Sequence, residues 1–305
     1  MTTPDQTDSA ALLLTGATGF VGGHLLAGLL EAGPVRCLVR DGSKLFRARG
    51  VEAIEADLLE QESLRPALEG VEEVYYLVHS MEPGVGDGFA DQDRRAAENF
   101  AAIAAKCGIR RTIYLGGVQA TEGSSEHIES RNEVEQLLAG AGEEFVALRA
   151  SMIVGAGSAS FKTLVQLVSR LPVLPLPSWR ERRSQPVAIA DVVAALVAAR
   201  DVEPGVYEIA GPDLLTFERM TEVVAKVLET EHRSFALPFS SSALESRAAG
   251  ALVDADQELL EPLMAGLHSD LVVEENALEP VFGVIPTPFA EAARVAIEGI
   301  QDDDD

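Results

Sequence analysis

The chain has 305 residues, 47% of them hydrophobic, enough to bury a substantial core as one large domain or one domain with a smaller lobe. Its 49 acidic and 24 basic residues leave a formal charge of −25, and such a surface repels phosphate backbones and anionic membranes, which argues against nucleic acid as a partner. No run of roughly 18 uncharged apolar residues occurs, and the opening MTTPDQTDSA is neither basic nor apolar, so neither an integral membrane segment nor export is expected.

Residues 1–9 are polar and read as a disordered N-terminus. Ala10 to Thr15 reads as a first strand, followed by TGATGFVGGH and an apolar periodic segment from Phe20 to Leu30. Glycines at 16, 19 and 22, set where strand becomes helix, match a dinucleotide cradle. Gly16 allows the tight turn, Gly19 lets backbone approach a pyrophosphate, and Gly22 permits close helix–strand packing; Thr18, Phe20 and Val21 belong to the same loop. The helix start adds free N–H groups and a positive dipole end.

Val35 to Val39 is a second strand, and LVRDGSK ends it. Arg40 and Lys44, with Ser43 as a further donor, favour the 2′-phosphate of NADP over the bare ribose of NAD. Asp41 keeps the NAD alternative open, since a carboxylate here serves ribose hydroxyls. Val51 to Ala56, Val74 to Val78, Thr112 to Leu115 and Phe145 to Leu148 are further strands beside helical patterns. This βαβ rhythm predicts an α/β fold, a doubly wound parallel sheet of the Rossmann kind, over residues 10–150.

From 151 the rhythm changes, with a proline-rich connector, LPVLPLPSW. Residues 151–300 are expected to supply the last elements of the first domain and a small C-terminal substrate lobe, and 301–305 an acidic solvated tail. Phe161, Leu164, Leu167 and Val168 have helical spacing and read as core. Ser151, Met152 and Gly155, after the sixth strand, are candidates for the substrate pocket. Trp179, Arg180 and Gln185, after the connector, are the others, with Trp179 suited to a flat ligand and Arg180, Arg182 and Arg183 to an anion; a surface or hinge role is the alternative. The five histidines and two cysteines show no metal-ligand spacing, so no metal is expected. Cys37 and Cys107 are too few for a secreted disulfide scaffold and fit a cytoplasmic setting.

TGATGFVG, ADLLEQESL, AAENFAAIAAKCGIRRTIYLGGV and QPVAIADVVAALVAA together resemble the short-chain dehydrogenase/reductase superfamily, in its extended and atypical branches, over nearly the whole chain. YLGGV, HIESRNEVEQLL and LRASMIVGAGSASF are similar to an atypical, epimerase-like subgroup. The resemblance implies that Asp57 and Leu58 sit beside the adenine and that Val78, His79 and Ser80 line the cofactor. It also implies a Ser or Thr after the fifth strand and a Tyr-x-x-x-Lys on the next helix. This sequence has Gly116 and Gly117 at the first position and His127 and Arg131 at the second.

Arg131 keeps a positive charge and donors for the nicotinamide ribose, and His127 can act as a neutral base or a weak acid, or be a polar helix residue without chemistry. Two functions stay open. One is an NAD(P)-dependent oxidoreductase or nucleotide-sugar epimerase-like enzyme with a non-standard active site, acting on an unidentified small molecule. The other is a dinucleotide-binding module without turnover, acting as a redox sensor or as an assembly or structural factor.

Overall fold

The computed structural model of the chain describes residues 11–79, 88–119, 126–171, 173–176, 178–231, 233–236 and 269–304. Residues 1–9 and Ser80 lie outside the described residues, as do the side chains of His127 and Trp179.

The chain runs β1 (Ala11–Thr15), α1 (Phe20–Leu30), β2 (Val35–Val39), β3 (Val51–Glu55), the short α2 (Arg65–Leu68), β4 (Val71–Tyr76), α3 (Phe89–Cys107), β5 (Arg111–Gly117), α4 (Glu126–Leu138) and β6 (Glu144–Ala150). It continues through β7 (Ile153–Val154), α5 (Ala159–Arg170), β8 (Val173–Leu176), β9 (Arg183–Ser184), β10 (Val187–Ala188), α6 (Ile189–Ala198), β11 (Gly205–Ile209), β12 (Leu215–Thr216), α7 (Phe217–Val227), β13 (Arg233–Ala236) and α8 (Phe289–Asp304). Seven strands form one parallel sheet in the order β3-β2-β1-β4-β5-β6-β11. Strand order reverses between β1 and β4, which opens a crevice at their carboxyl ends, the usual ligand position in such sheets.

Alternation along β1 shows how the two faces are filled. Leu12 and Leu14 pack with Leu25, Leu29, Val192 and Leu196 of α1 and α6. Leu13 packs with Phe100, Ile103, Val134 and Leu138 of α3 and α4. Both faces are therefore covered, as a parallel sheet requires. β4 starts at Val71, three residues before the apolar run would place it. Glu73 is carried into the sheet there because it pairs with Arg110 and, at 2.7 Å, with Arg200. β4 ends at Tyr76, so Leu77, Val78 and His79 form the exit from the carboxyl edge.

The later part of the chain is interleaved with the first. α6 and β11 complete the sheet layers, whereas α5, α7 and α8 enclose a separate core that includes Phe161, Leu164, Leu167, Val168, Met220 and Phe289. The acidic run expected as a tail is helical through Asp304, because α8 continues past the buried anchors Ala293, Ala296 and Ile297.

Candidate functional site

The glycine loop closes tightly on itself. Gly16 has φ +71°, and the Gly19 amide donates to its carbonyl at 2.9 Å. A Cβ on Gly22 would stand 2.1 Å from that same carbonyl, so the first turn of α1 rests directly on the loop backbone. At Gly19 the nearest atom to a Cβ is 3.3 Å away, and both Thr18 and Gly19 are exposed. Gly19 is the N-cap of α1 with no side-chain cap and no acid in the first turn, which leaves a positively polarised helix end at the crevice. Phe20 turns inward, so that a Cβ on Gly155 or Gly157 would lie 2.6 or 2.5 Å from its ring. It docks the β7–α5 loop onto the start of α1.

Thr15, which sequence reasoning passed over, fixes the crevice. Its buried hydroxyl donates to the Tyr75 carbonyl at 3.2 Å and accepts from the Leu77 amide at 3.0 Å, bridging β1 and β4 at their carboxyl ends. A lone hydroxyl closing an apolar strand was the available signal.

Beyond β2, Arg40, Asp41, Ser43 and Lys44 are exposed. The Asp41 carboxylate accepts from the Ser43 amide at 2.9 Å and its hydroxyl at 2.6 Å, capping the turn Gly42–Lys44. Those bonds hold its pKa below the usual carboxylate value. Asp41 is thus turned to its own loop, and the Ser43 hydroxyl donates to Asp41. After β3, Asp57 accepts from the Leu59 amide at 2.9 Å, and buried Leu58 is held through its carbonyl by Asn99 at 2.9 Å. The two form a ledge on the β3 side of the crevice.

On the other side lie Val78, His79 and Arg131. His79 Nε2 donates to the Leu115 carbonyl at 3.3 Å, and Nδ1 stands 3.7 Å from Asp93 of α3 with no hydrogen-bond partner. Burial, reinforced by the nearby Arg131 charge, holds the imidazole pKa below its ordinary value, against the opposing pull of Asp93. Arg131 Nε is also buried without a partner. A Cβ on Gly117 would lie 3.6 Å from the Arg131 guanidinium, so this side chain bounds the space where the family resemblance expects a Ser or Thr. The backbone of α4 sets His127 one turn before Arg131.

Of the residues expected in a substrate pocket, Ser151, Met152 and Gln185 are engaged within the protein. The Ser151 and Ser184 hydroxyls are 3.0 Å apart, the Met152 carbonyl accepts from Val187 at 2.9 Å, and Gln185 Oε1 accepts from the Val273 amide at 2.8 Å. Arg180 pairs with Glu218 and Glu181, each at 3.0 Å, and Arg183 with Asp270 at 2.8 Å, so each already faces a carboxylate. Among the described residues no three His, Cys, Asp or Glu side chains gather as a metal site, and no helix is long and apolar enough to cross a membrane.

The uncapped helix end, the open surface at Gly19 and the orphaned Arg131 donor fit a dinucleotide stretched across the crevice. Comparison with known proteins agrees. A family described as NAD(P)H-binding matches residues 16–153. A ceramide reductase of Caulobacter vibrioides is 31% identical over 264 residues, covering 83% of this chain and 81% of that protein. A (4-alkanoyl-5-oxo-2,5-dihydrofuran-3-yl)methyl phosphate reductase of Streptomyces griseus is 27% identical over 226 residues, 71% and 73% of the two chains. The NADPH-dependent quinone oxidoreductase of Escherichia coli, solved with NADPH, superposes with a TM-score of 0.73 at 22% identity over 92% of this chain and 98% of that one. The chain belongs to the short-chain dehydrogenase/reductase superfamily, in its atypical branch, and its first domain is built to bind a nicotinamide dinucleotide.

Proposed function

We propose that the protein is an NADP-dependent reductase of a small carbonyl compound. The observation that carries this reading is Arg131, a half-buried cation whose Nε donor is buried and unbonded beside the end of β5, where the nicotinamide half of a dinucleotide would lie. Its donors suit the ribose hydroxyls, and a bound reduced nicotinamide supplies hydride. Both relatives named above are reductases, which supports reduction over epimerisation. Arg40 and Lys44 select NADP, and the engagement of Asp41 with Ser43 supports that choice. Asp57, Leu58 and Val78 line the adenine and ring ends. His127, at the position the family gives to tyrosine, is the residue we assign to proton transfer. Ser151, Met152, Trp179 and Gln185 are assigned to the wall that selects the substrate. Two free thiols support a reducing, cytoplasmic setting; burial pushes the Cys37 thiol up to about 12, which keeps it protonated and inert.

The test is oxidation of NADPH by the purified protein against a panel of aldehydes, ketones, quinones and nucleotide sugars, repeated with Arg131→Ala. We expect turnover with NADPH that Arg131→Ala reduces by at least tenfold, roughly the loss of one charge-assisted bond. Tight NADPH binding without turnover on any class would favour the binding-module reading.

A further inference from the structure

Among the described residues, the buried side-chain atoms without a hydrogen-bond partner are His79 Nδ1, Thr112 Oγ1 and Arg131 Nε. Two of the three belong to one cluster under the carboxyl ends of β4 and β5. There the hydrogen atoms do not balance. The Leu115 carbonyl can only accept, so His79 Nε2 carries a hydrogen, and on a neutral ring Nδ1 is then a lone pair. That lone pair faces an Asp93 oxygen 3.7 Å away, and a carboxylate offers only lone pairs. The Ser130 hydroxyl, 3.4 Å from the same oxygen, gives its hydrogen to Asp93 and has none left for the ring.

Among the described residues, nothing else shown packed on the imidazole supplies the missing hydrogen. Tyr114 of β5 stands edge-on to the ring at 5.8 Å, and its hydroxyl donates to the Arg131 carbonyl at 3.1 Å. Tyr76 of β4 is packed against Phe100 and Tyr114. From α4, Arg131 brings positive charge, which opposes protonation of His79, while Asp93 on α3 favours it. One proton, on Nδ1 or on the carboxylate, removes the mismatch. Both carriers are largely shielded from water: His79 has 11% and Asp93 6% of its side-chain surface exposed.

We propose that His79 and Asp93 share one exchangeable proton, and that this pair is the proton store of the reductase, its charge state linked through Arg131 to the redox state of the bound dinucleotide. The inference rests on the reductase reading above. Reduction needs a proton as well as hydride: the carbonyl carbon gains the hydride with its two electrons, the π pair moves onto oxygen, and that oxygen takes the proton the pair gives up. Solvent then reloads the pair. An oxidised nicotinamide bound in the crevice would add one positive charge there, and His79 would then hold its proton less tightly when the substrate oxygen needs one. His79 and Asp93 are positioning residues in this scheme, set behind the group that touches the substrate.

The test reads protons rather than turnover. Binding of NADP+ and of NADPH is measured calorimetrically in buffers of different ionisation enthalpy, across about pH 5 to 9. We expect NADP+ binding to release more protons than NADPH binding, with the difference passing through a maximum where the pair titrates. It should vanish in His79→Gln and in Asp93→Asn, each compared at saturating dinucleotide, and NADPH affinity of the Asp93→Asn protein should stay within a few-fold. Ser130→Ala, which takes a hydrogen bond from the carboxylate, should move the maximum to higher pH, and the imidazole nitrogen signals of His79 in the unsubstituted protein should share its midpoint. Equal proton counts for the two forms, or a difference that survives His79→Gln, overturns the proton store and leaves the reductase reading standing. Absence of binding by either form overturns both.

Discussion

Gly19 and Gly22 lie one helical turn apart in the sequence and are glycine for different reasons. At Gly22 the protein itself fills the space, with a backbone carbonyl 2.1 Å from where a Cβ would be. At Gly19 the space belongs to the crevice. Gly22→Ala should therefore cost about 1–3 kcal/mol of stability in urea unfolding, as overpacking against backbone does. Gly19→Val should fold with a near-parental midpoint and lose dinucleotide binding in a calorimetric titration; unchanged affinity would remove Gly19 from the site. Cofactor choice can be tested beyond β2, at Arg40. If Arg40 meets a 2′-phosphate, the unsubstituted protein binds NADP more tightly than NAD, and Arg40→Ala narrows the gap by about ten- to a hundredfold. A parental preference for NAD would mean that Asp41 leaves its bonds to Ser43 and serves the ribose instead.

Elements made mostly of apolar residues were legible in the sequence. β2 stands at the limits its run suggests, and β1, β3, β5 and β6 differ only at their ends. The apolar pattern starts β4 late because Glu72 and Glu73 interrupt it, and what carries Glu73 inside includes Arg200, more than a hundred residues away. No local periodicity can show such a partner. α3 holds the more instructive case. Asp93 lies on the same stripe as Ala96, Ala97, Phe100, Ile103 and Ala104, and all are buried. A carboxylate on a core-facing stripe is the sequence signal for a buried polar partner. The sequence places His79 beside the cofactor, but its tie to Asp93 is invisible there because helix and strand meet only in the fold. At the β1–β4 junction, Thr15→Val should leave the Leu77 amide without its acceptor. We expect a loss of about 1–3 kcal/mol in urea unfolding and weaker dinucleotide binding from a loosened crevice. A stability within experimental error of the parent would mean that water replaces the hydroxyl.

For the molecule as a whole, a formal charge of −25 implies that folding gathers like charges together. Screening acts over about 10 Å at 0.1 M salt and less above it, so this repulsion is strongly damped in concentrated salt. The thermal midpoint should rise from dilute buffer to about 1 M KCl; a fall would indicate that surface pairs such as Arg94–Asp91 and Arg294–Glu298 outweigh the repulsion. The two parts of the molecule share their chain, since α6 and β11 return to the sheet after β7 and α5 have left it. Phe20 adds a further joint, its ring pressed on the Cβ-less backbone at Gly155 and Gly157. For anyone grafting a foreign substrate lobe onto this cradle, compatibility would be decided at two glycines more than a hundred positions downstream. A donor loop with any side chain at either place would have to displace the ring that begins α1, and the transplant would misalign the cofactor before meeting its substrate.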